Sequence, residues 1–231
     1  MHAWILGVAL AATLGMAFAA TDDKAGATSM PCPRAHAPVL ERFISAECEA
    51  CWTDASVAQP GSNEWLLDWI VPSARGDEAP LSSAAPAEAA ARARRVLKAE
   101  PASDRASVQR SAARTEAGWQ LRVSSGPAWS GYFGVQVDAS GRANAGAAAW
   151  VALVETVAAG TDGSAVPRQL VRTLSGPFTS VELRSGKPWR HLQAMRWPET
   201  AKPARLHARA WIEDAAGRIV AMAGEPCAAA R

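Results

Sequence analysis

The apolar positions of this chain fall into two regimes. Before residue 117 they come as short, nearly unbroken runs. Val39-Leu40-Glu41-Arg42-Phe43-Ile44 and Glu64-Trp65-Leu66-Leu67-Asp68-Trp69-Ile70-Val71 each predict a strand, the second stopped by Pro72. A short helix is predicted over 51–58, ended by Gln59-Pro60-Gly61-Ser62-Asn63. Ser82 or Ser83 caps a longer Ala/Arg helix over 85–98, and residues 99–116 read as a polar connection.

From Gly118 onward the period drops to two. Trp119, Leu121 and Val123 alternate with polar residues, as do Phe133, Val135 and Val137, then Val181 and Leu183. Ala148 to Val157 is almost continuously apolar, as in a central strand. Leu206, Ala208, Ala210 and Ile212 point one way, with His207, Arg209 and Trp211 on the other face. Asp138-Ala139-Ser140-Gly141 and Asp214-Ala215-Ala216-Gly217 read as hairpin loops. The expected fold class is therefore α+β: a βαβα portion over 36–116, then an antiparallel β-sandwich-like portion over 117–231.

The N-terminus changes the compartment. Residues 2–19 contain no Lys, Arg, Asp or Glu, the run Trp4 to Ala12 is apolar, and Ala17-Phe18-Ala19 supplies small residues for cleavage. This predicts a signal peptide over 1–19, a lead-in over 20–35 and a periplasmic or secreted protein. The apolar run is shorter than the roughly 20 residues of a spanning helix, so no membrane is expected after cleavage. Net charge is +2 with no block of like sign, which implies neither nucleic acid nor an acidic membrane. Ten Trp against one Tyr and four Phe are scattered, as core or half-buried residues. No phosphate-cradling glycine loop or Gly-x-Ser-x-Gly elbow is present, and no cofactor is expected.

Chemistry concentrates in Cys48-Glu49-Ala50-Cys51. Four cysteines in an oxidising compartment pair, and the preferred connectivity is Cys48–Cys51 with Cys32–Cys227 as a structural staple between the ends. A dithiol at a strand-to-helix junction supports thiol–disulfide exchange with a protein thiol, Cys48 attacking and Cys51 resolving. Glu47 and Glu49 flank Cys48 and disfavour its thiolate, which predicts a weak oxidant. Trp52 and Asp68 are further candidates to line the site. The alternative is a non-catalytic binding or interaction protein with structural disulfides and a Trp-containing β surface. A third reading is a Cu- or Zn-binding dithiol, with His36, His191, His207 and Met195 as the available outside ligands.

The segment Glu41-Arg42-Phe43-Ile44-Ser45-Ala46-Glu47-Cys48-Glu49-Ala50-Cys51 resembles the opening of a bacterial family of exported thioredoxin-like proteins, through Glu41, Phe43, Ser45, Cys48 and Cys51. Leu67-Asp68-Trp69 is similar to that family's next strand, and Leu170-Val171-Arg172-Thr173-Leu174 to its β-rich second half. The resemblance implies a thioredoxin-like N-terminal portion with a cis-proline facing the dithiol. Pro72, Pro80, Pro86, Pro101 and Pro127 are the candidates. Where that family has prolines after the second Cys, this chain has Trp52 and Thr53.

Overall fold

The computed structural model describes residues 33–112, 118–141, 145–179, 183 and 187–225. The signal segment, most of the lead-in, Cys32, Cys227 and Val181 lie outside the described residues. Chain order is β1 (Val39–Ser45), α1 (Glu49–Thr53), β2 (Trp65–Val71), α2 (Glu88–Leu97), β3 (Ser107–Ser111), β4 (Gln120–Ser125) and β5 (Tyr132–Ser140). It continues through β6 (Ala148–Val157), β7 (Arg168–Thr179), β8 (Trp189–Arg196), β9 (Leu206–Glu213) and β10 (Ile219–Gly224). Seven strands form one sheet in the order β10-β9-β6-β7-β2-β1-β3, and β4-β5-β8 form a second.

This topology overturns the expected α+β, thioredoxin-like fold class. The described residues hold two α-helices, and α1 is only five residues long. Its C-cap Asp54 turns extended (ψ 114°), and the Asp54 carboxylate then accepts from Ser56 N–H at 2.7 Å, which favours a turn over further helix. After α2 the chain does not enter a third parallel strand. It returns as β3, antiparallel on the outer edge of β1. The parallel neighbour of β2 on its other side is β7, where Asp68 lies opposite Leu170. Nor is the second half a separate sandwich, because β6, β7, β9 and β10 share one sheet with β1, β2 and β3.

Burial explains why this arrangement holds. β1 and β2 are buried at every position, as fits central strands covered on both faces. One face packs Phe43, Leu67, Trp69, Trp150, Trp211 and Met222 beneath α2. Ala89 and Ala93 on α2 are small enough to let the helix approach closely. On the opposite face β4, β5 and β8 cover β6, β9 and β10, with Phe133, Val135 and Val137 against Val151, Leu153, Ala208 and Ala210. The rest of that face lies under α1 and its loops, which bury Ile44, Ile70, Val157 and Leu170.

The large sheet curls. Arg92 donates to Glu41 on β1 at 2.7 and 2.9 Å and to Glu213 on β9 at 2.5 Å. The lead to β1 follows the same curve: Ala35 C=O accepts from Met222 N–H at 2.8 Å, and Trp65 Nε1 donates to Arg34 C=O at 3.0 Å.

Several expected elements stand: β1, β2, the Ala/Arg helix, the β6 strand, the two-faced β9, and the Asp214–Gly217 hairpin closed by Asp214 N–H to Arg218 C=O. The hairpin expected at Asp138–Gly141 is corrected. β5 runs through to Ser140, and the next strand, β6, belongs to the other sheet. The connection over 99–116 contains β3, whose pattern Ser-Val-Gln-Arg-Ser carries a single apolar residue.

Candidate functional site

The site grows from the end of β1. Ser45 C=O accepts from Cys48 N–H at 2.9 Å, which turns the chain out of the sheet and into α1. Cys48 is the N-cap, and its Sγ accepts from Cys51 N–H at 3.2 Å. The spacing of three residues across this single turn brings the Cα atoms to 5.2 Å, and the two cysteines form a disulfide. No thiol therefore remains here for Glu47 and Glu49 to perturb. Glu49 is exposed and Glu47 is half-buried.

The disulfide is a core element. Cys48 is 5 % exposed and Cys51 3 %, walled by Ile44, Ala46, Ile70, Ala79, Val157 and Leu170. A sulfur in such surroundings lacks an open approach for an attacking thiolate.

Beneath it lies a buried ionic clamp that joins β1, β2, α1 and β7. Arg42 and Asp68 stand opposite each other in the parallel β1–β2 register and pair at two points, 2.6 and 2.9 Å. Asp68 also accepts from Gln169 N–H at 2.7 Å and from Arg168 Nη1 at 3.4 Å. Arg168 is fully buried. Its Nη2 donates to the carbonyls of Trp52 at 2.8 Å and Cys51 at 3.2 Å, and its Nε to Ser164 Oγ at 2.9 Å. The guanidinium lies 5.0 Å from the centre of the Trp52 ring, and Trp52 Nε1 donates to Asp162 C=O at 2.8 Å. Burial lowers the pKa of Arg168, against the opposing pull of Asp68. α1 is thus held from below at its last carbonyls, where a helix leaves acceptors unpaired.

Cys51, Trp52 and Asp68, all singled out in the sequence, therefore meet around Arg168, and Cys48 joins them through its disulfide to Cys51. Sequence reasoning missed Arg168, Arg42 and Ser164. A signal for part of the clamp was present, since Arg42 and Asp68 each interrupt a strand that is otherwise apolar on the same phase.

The outside metal ligands fall elsewhere. His36 Nδ1 lies 3.0 Å from Val220 C=O, and His191 is stacked on Trp189 and touches Phe178. Met195 is buried between the sheets. His207 lies beside Arg209, whose Nε donates to His207 Nε2 at 3.3 Å. Among the described residues no three His, Cys, Asp or Glu side chains come together as a metal set. The cis peptide found among those residues is Gly176–Pro177, not one of the five candidate prolines. It packs against Ala149 and Trp150 rather than the disulfide.

No protein-family model, no curated protein and no solved structure matches the chain.

Proposed function

We propose that the protein is a non-catalytic binding or interaction protein of an oxidising, exported compartment, braced by the Cys48–Cys51 disulfide. The burial of both half-cystines supports this reading above all else. Exchange proceeds by in-line attack of a thiolate on sulfur, and residues only 5 % and 3 % exposed leave little room for that approach. The clamp adds to it: Arg168 ties the carbonyls of Cys51 and Trp52 to Asp68, so presenting Cys48 would require α1 to detach. A disulfide of this kind persists where no cytosolic reductant acts on it, which is the reason for the exported location. The binding surface in this reading is the outer face of β4, β5 and β8, where Trp129 stands exposed.

Thiol–disulfide exchange keeps one supporting observation, the Cys48 Sγ at the N-cap accepting the Cys51 N–H. The two readings separate in an exchange assay with the folded chain and a reduced, unfolded protein as thiol donor. The binding reading expects no turnover above that of the Cys48→Ser variant. Turnover lost in that variant sinks it.

A further inference from the structure

The outer face of the three-stranded sheet carries three exposed apolar side chains, Trp129, Tyr132 and Leu192, set among polar and basic positions. In the β5–β8 register its outward residues pair as Tyr132 with Arg196, Gly134 with Ala194, Gln136 with Leu192 and Asp138 with Arg190. Trp129, at the turn entering β5, is 79 % exposed, Leu192 68 % and Tyr132 44 %. Gly134 and Ala194 leave the strip between them flat. From Tyr132 to Asp138 the face runs about 20 Å at ~3.4 Å per residue.

The aromatic tip is preorganised. Trp129 and Tyr132 exchange both backbone hydrogen bonds at 2.9 Å, around Ser130 and Gly131 with φ +46° and +85°. Two successive positive φ values make a tight turn that matches the twist of the hairpin. Gly131 C=O accepts from Trp197 N–H at 3.2 Å, and the Trp197 ring packs on Phe133 with centroids 5.0 Å apart. Side chains mounted on a fixed turn lose little freedom on docking.

Charge selects the occupant. Arg122, opposite Asp138 on β4, joins Arg190 and Arg196 on this face, against the single carboxylate of Asp138. That carboxylate is engaged by Arg190 at 2.5 Å and Gln136 at 2.7 Å. Arg122 and Arg196 form no ion pair among the described residues. An anionic bilayer answers both features at once. Trp and Tyr settle at headgroup level, Leu reaches the acyl boundary, and arginines extend toward phosphates. A bilayer also demands no matching set of hydrogen bonds, and Gly134, Ala194 and Leu192 offer no side-chain polar atoms. The overall charge of +2 concealed this face, since a net charge does not report where on the surface the arginines gather.

We propose that this face docks on an anionic phospholipid bilayer. The proposal rests on reading the protein as a binding module and names what it binds. The test is co-sedimentation of the full chain with phosphatidylglycerol/phosphatidylcholine vesicles and with phosphatidylcholine vesicles alone. The expected result is binding to the anionic vesicles that weakens with salt, a loss of tenfold or more in Trp129→Ser, and about fivefold in Arg196→Ala. Both variants keep the apolar run near residue 4, so the difference reports the face alone. Urea unfolding confirms that Trp129→Ser is folded, and Leu192→Ser gives a second route to the same loss. Absence of binding to anionic vesicles, equal binding to both vesicle types, or unchanged binding in Trp129→Ser and Leu192→Ser overturns the proposal. Vesicle binding and thiol exchange are read separately, so failure of this proposal is distinguishable from failure of the non-catalytic reading.

Discussion

Glu41 and Glu213 bind the same guanidinium, that of Arg92, although four strand spacings separate their strands along the sheet. A flat sheet would hold β1 and β9 about 19 Å apart, at ~4.8 Å per spacing. One side chain meets both only because the sheet curls around the Trp69–Trp211 core. Trp69 Nε1 and Trp211 Nε1 donate to the two carboxylates at 3.1 and 2.8 Å, so these acids are held by tryptophans as well as by arginine.

Arg92→Met leaves both carboxylates buried without their shared cation. The expected destabilisation is about 3–5 kcal/mol at neutral pH. Burial already raises the Glu213 pKa, and losing Arg92 raises it further. A raised carboxylate pKa means stability present at low pH and lost as pH rises through the folded value. Urea unfolding of the variant should therefore show part of the deficit recovered on acidification. A deficit independent of pH would contradict this account.

Asp68→Asn removes the only carboxylate in contact with Arg42 and Arg168 among the described residues. Two buried guanidinium groups are left with neutral acceptors, and a loss of about 3–5 kcal/mol is expected. Arg168→Lys should also destabilise, because a single ammonium cannot reach Ser164, Asp68 and the two α1 carbonyls together. Denaturant midpoints check both. A change below about 0.5 kcal/mol in either would show that the clamp contributes little.

His207 gives the chain an acid-sensitive point. Burial, then the neighbouring Arg209 cation, pulls its pKa from 6.5 down to about 3. The geometry agrees, since Nε2 accepts from Arg209 and so cannot carry a proton. Between the two values the unfolded chain binds a proton that the folded chain refuses, so stability falls as pH drops from about 6.5 toward 3. His207→Gln should flatten that limb in urea titrations across this range. An unchanged slope would argue against a neutral, half-buried His207.

Lys98 closes α2 with φ +58°, and its N–H reaches Arg94 C=O at 3.1 Å. A left-handed C-terminal residue favours glycine. Lys98→Gly is expected to stabilise by about 0.5–1 kcal/mol, measured by thermal or urea unfolding.

The sequence revealed strands where the apolar run was nearly unbroken, as in β1, β2 and β6, or where two faces alternated, as in β9, but not β7, although its first five residues are buried. It did not reveal β3, because Ser107–Ser111 sits at a sheet edge, where only Val108 is apolar and no buried face imposes a period. The pairing of β2 with β7 was also illegible. It links Asp68 to Leu170 across a hundred residues, and nothing local to either strand specifies it. The strand–dithiol–helix order suggested a thioredoxin-like origin because that fold shares the same local grammar. The two diverge after α2, where this chain makes an antiparallel return to the edge of β1 rather than a further parallel strand. At the site, the Cys spacing predicted the bond but not its burial. Arg168, first in a strand that also carries Gln169 and Arg172, gives no sign of facing inward until Asp68 is placed beneath it.

The claim most in need of a direct test is that Cys48–Cys51 braces the fold and takes no part in exchange. In the chain-entropy model so short a loop stabilises by about 2 kcal/mol, so opening it should weaken the fold without abolishing it. The measurement is alkylation and mass analysis of the native chain after graded glutathione treatment, with and without denaturing urea. A bracing disulfide leaves Cys48 and Cys51 unlabelled in the native chain and labelled only where urea unfolds it. Rapid labelling of Cys48 in the folded chain at mild glutathione poise would contradict it.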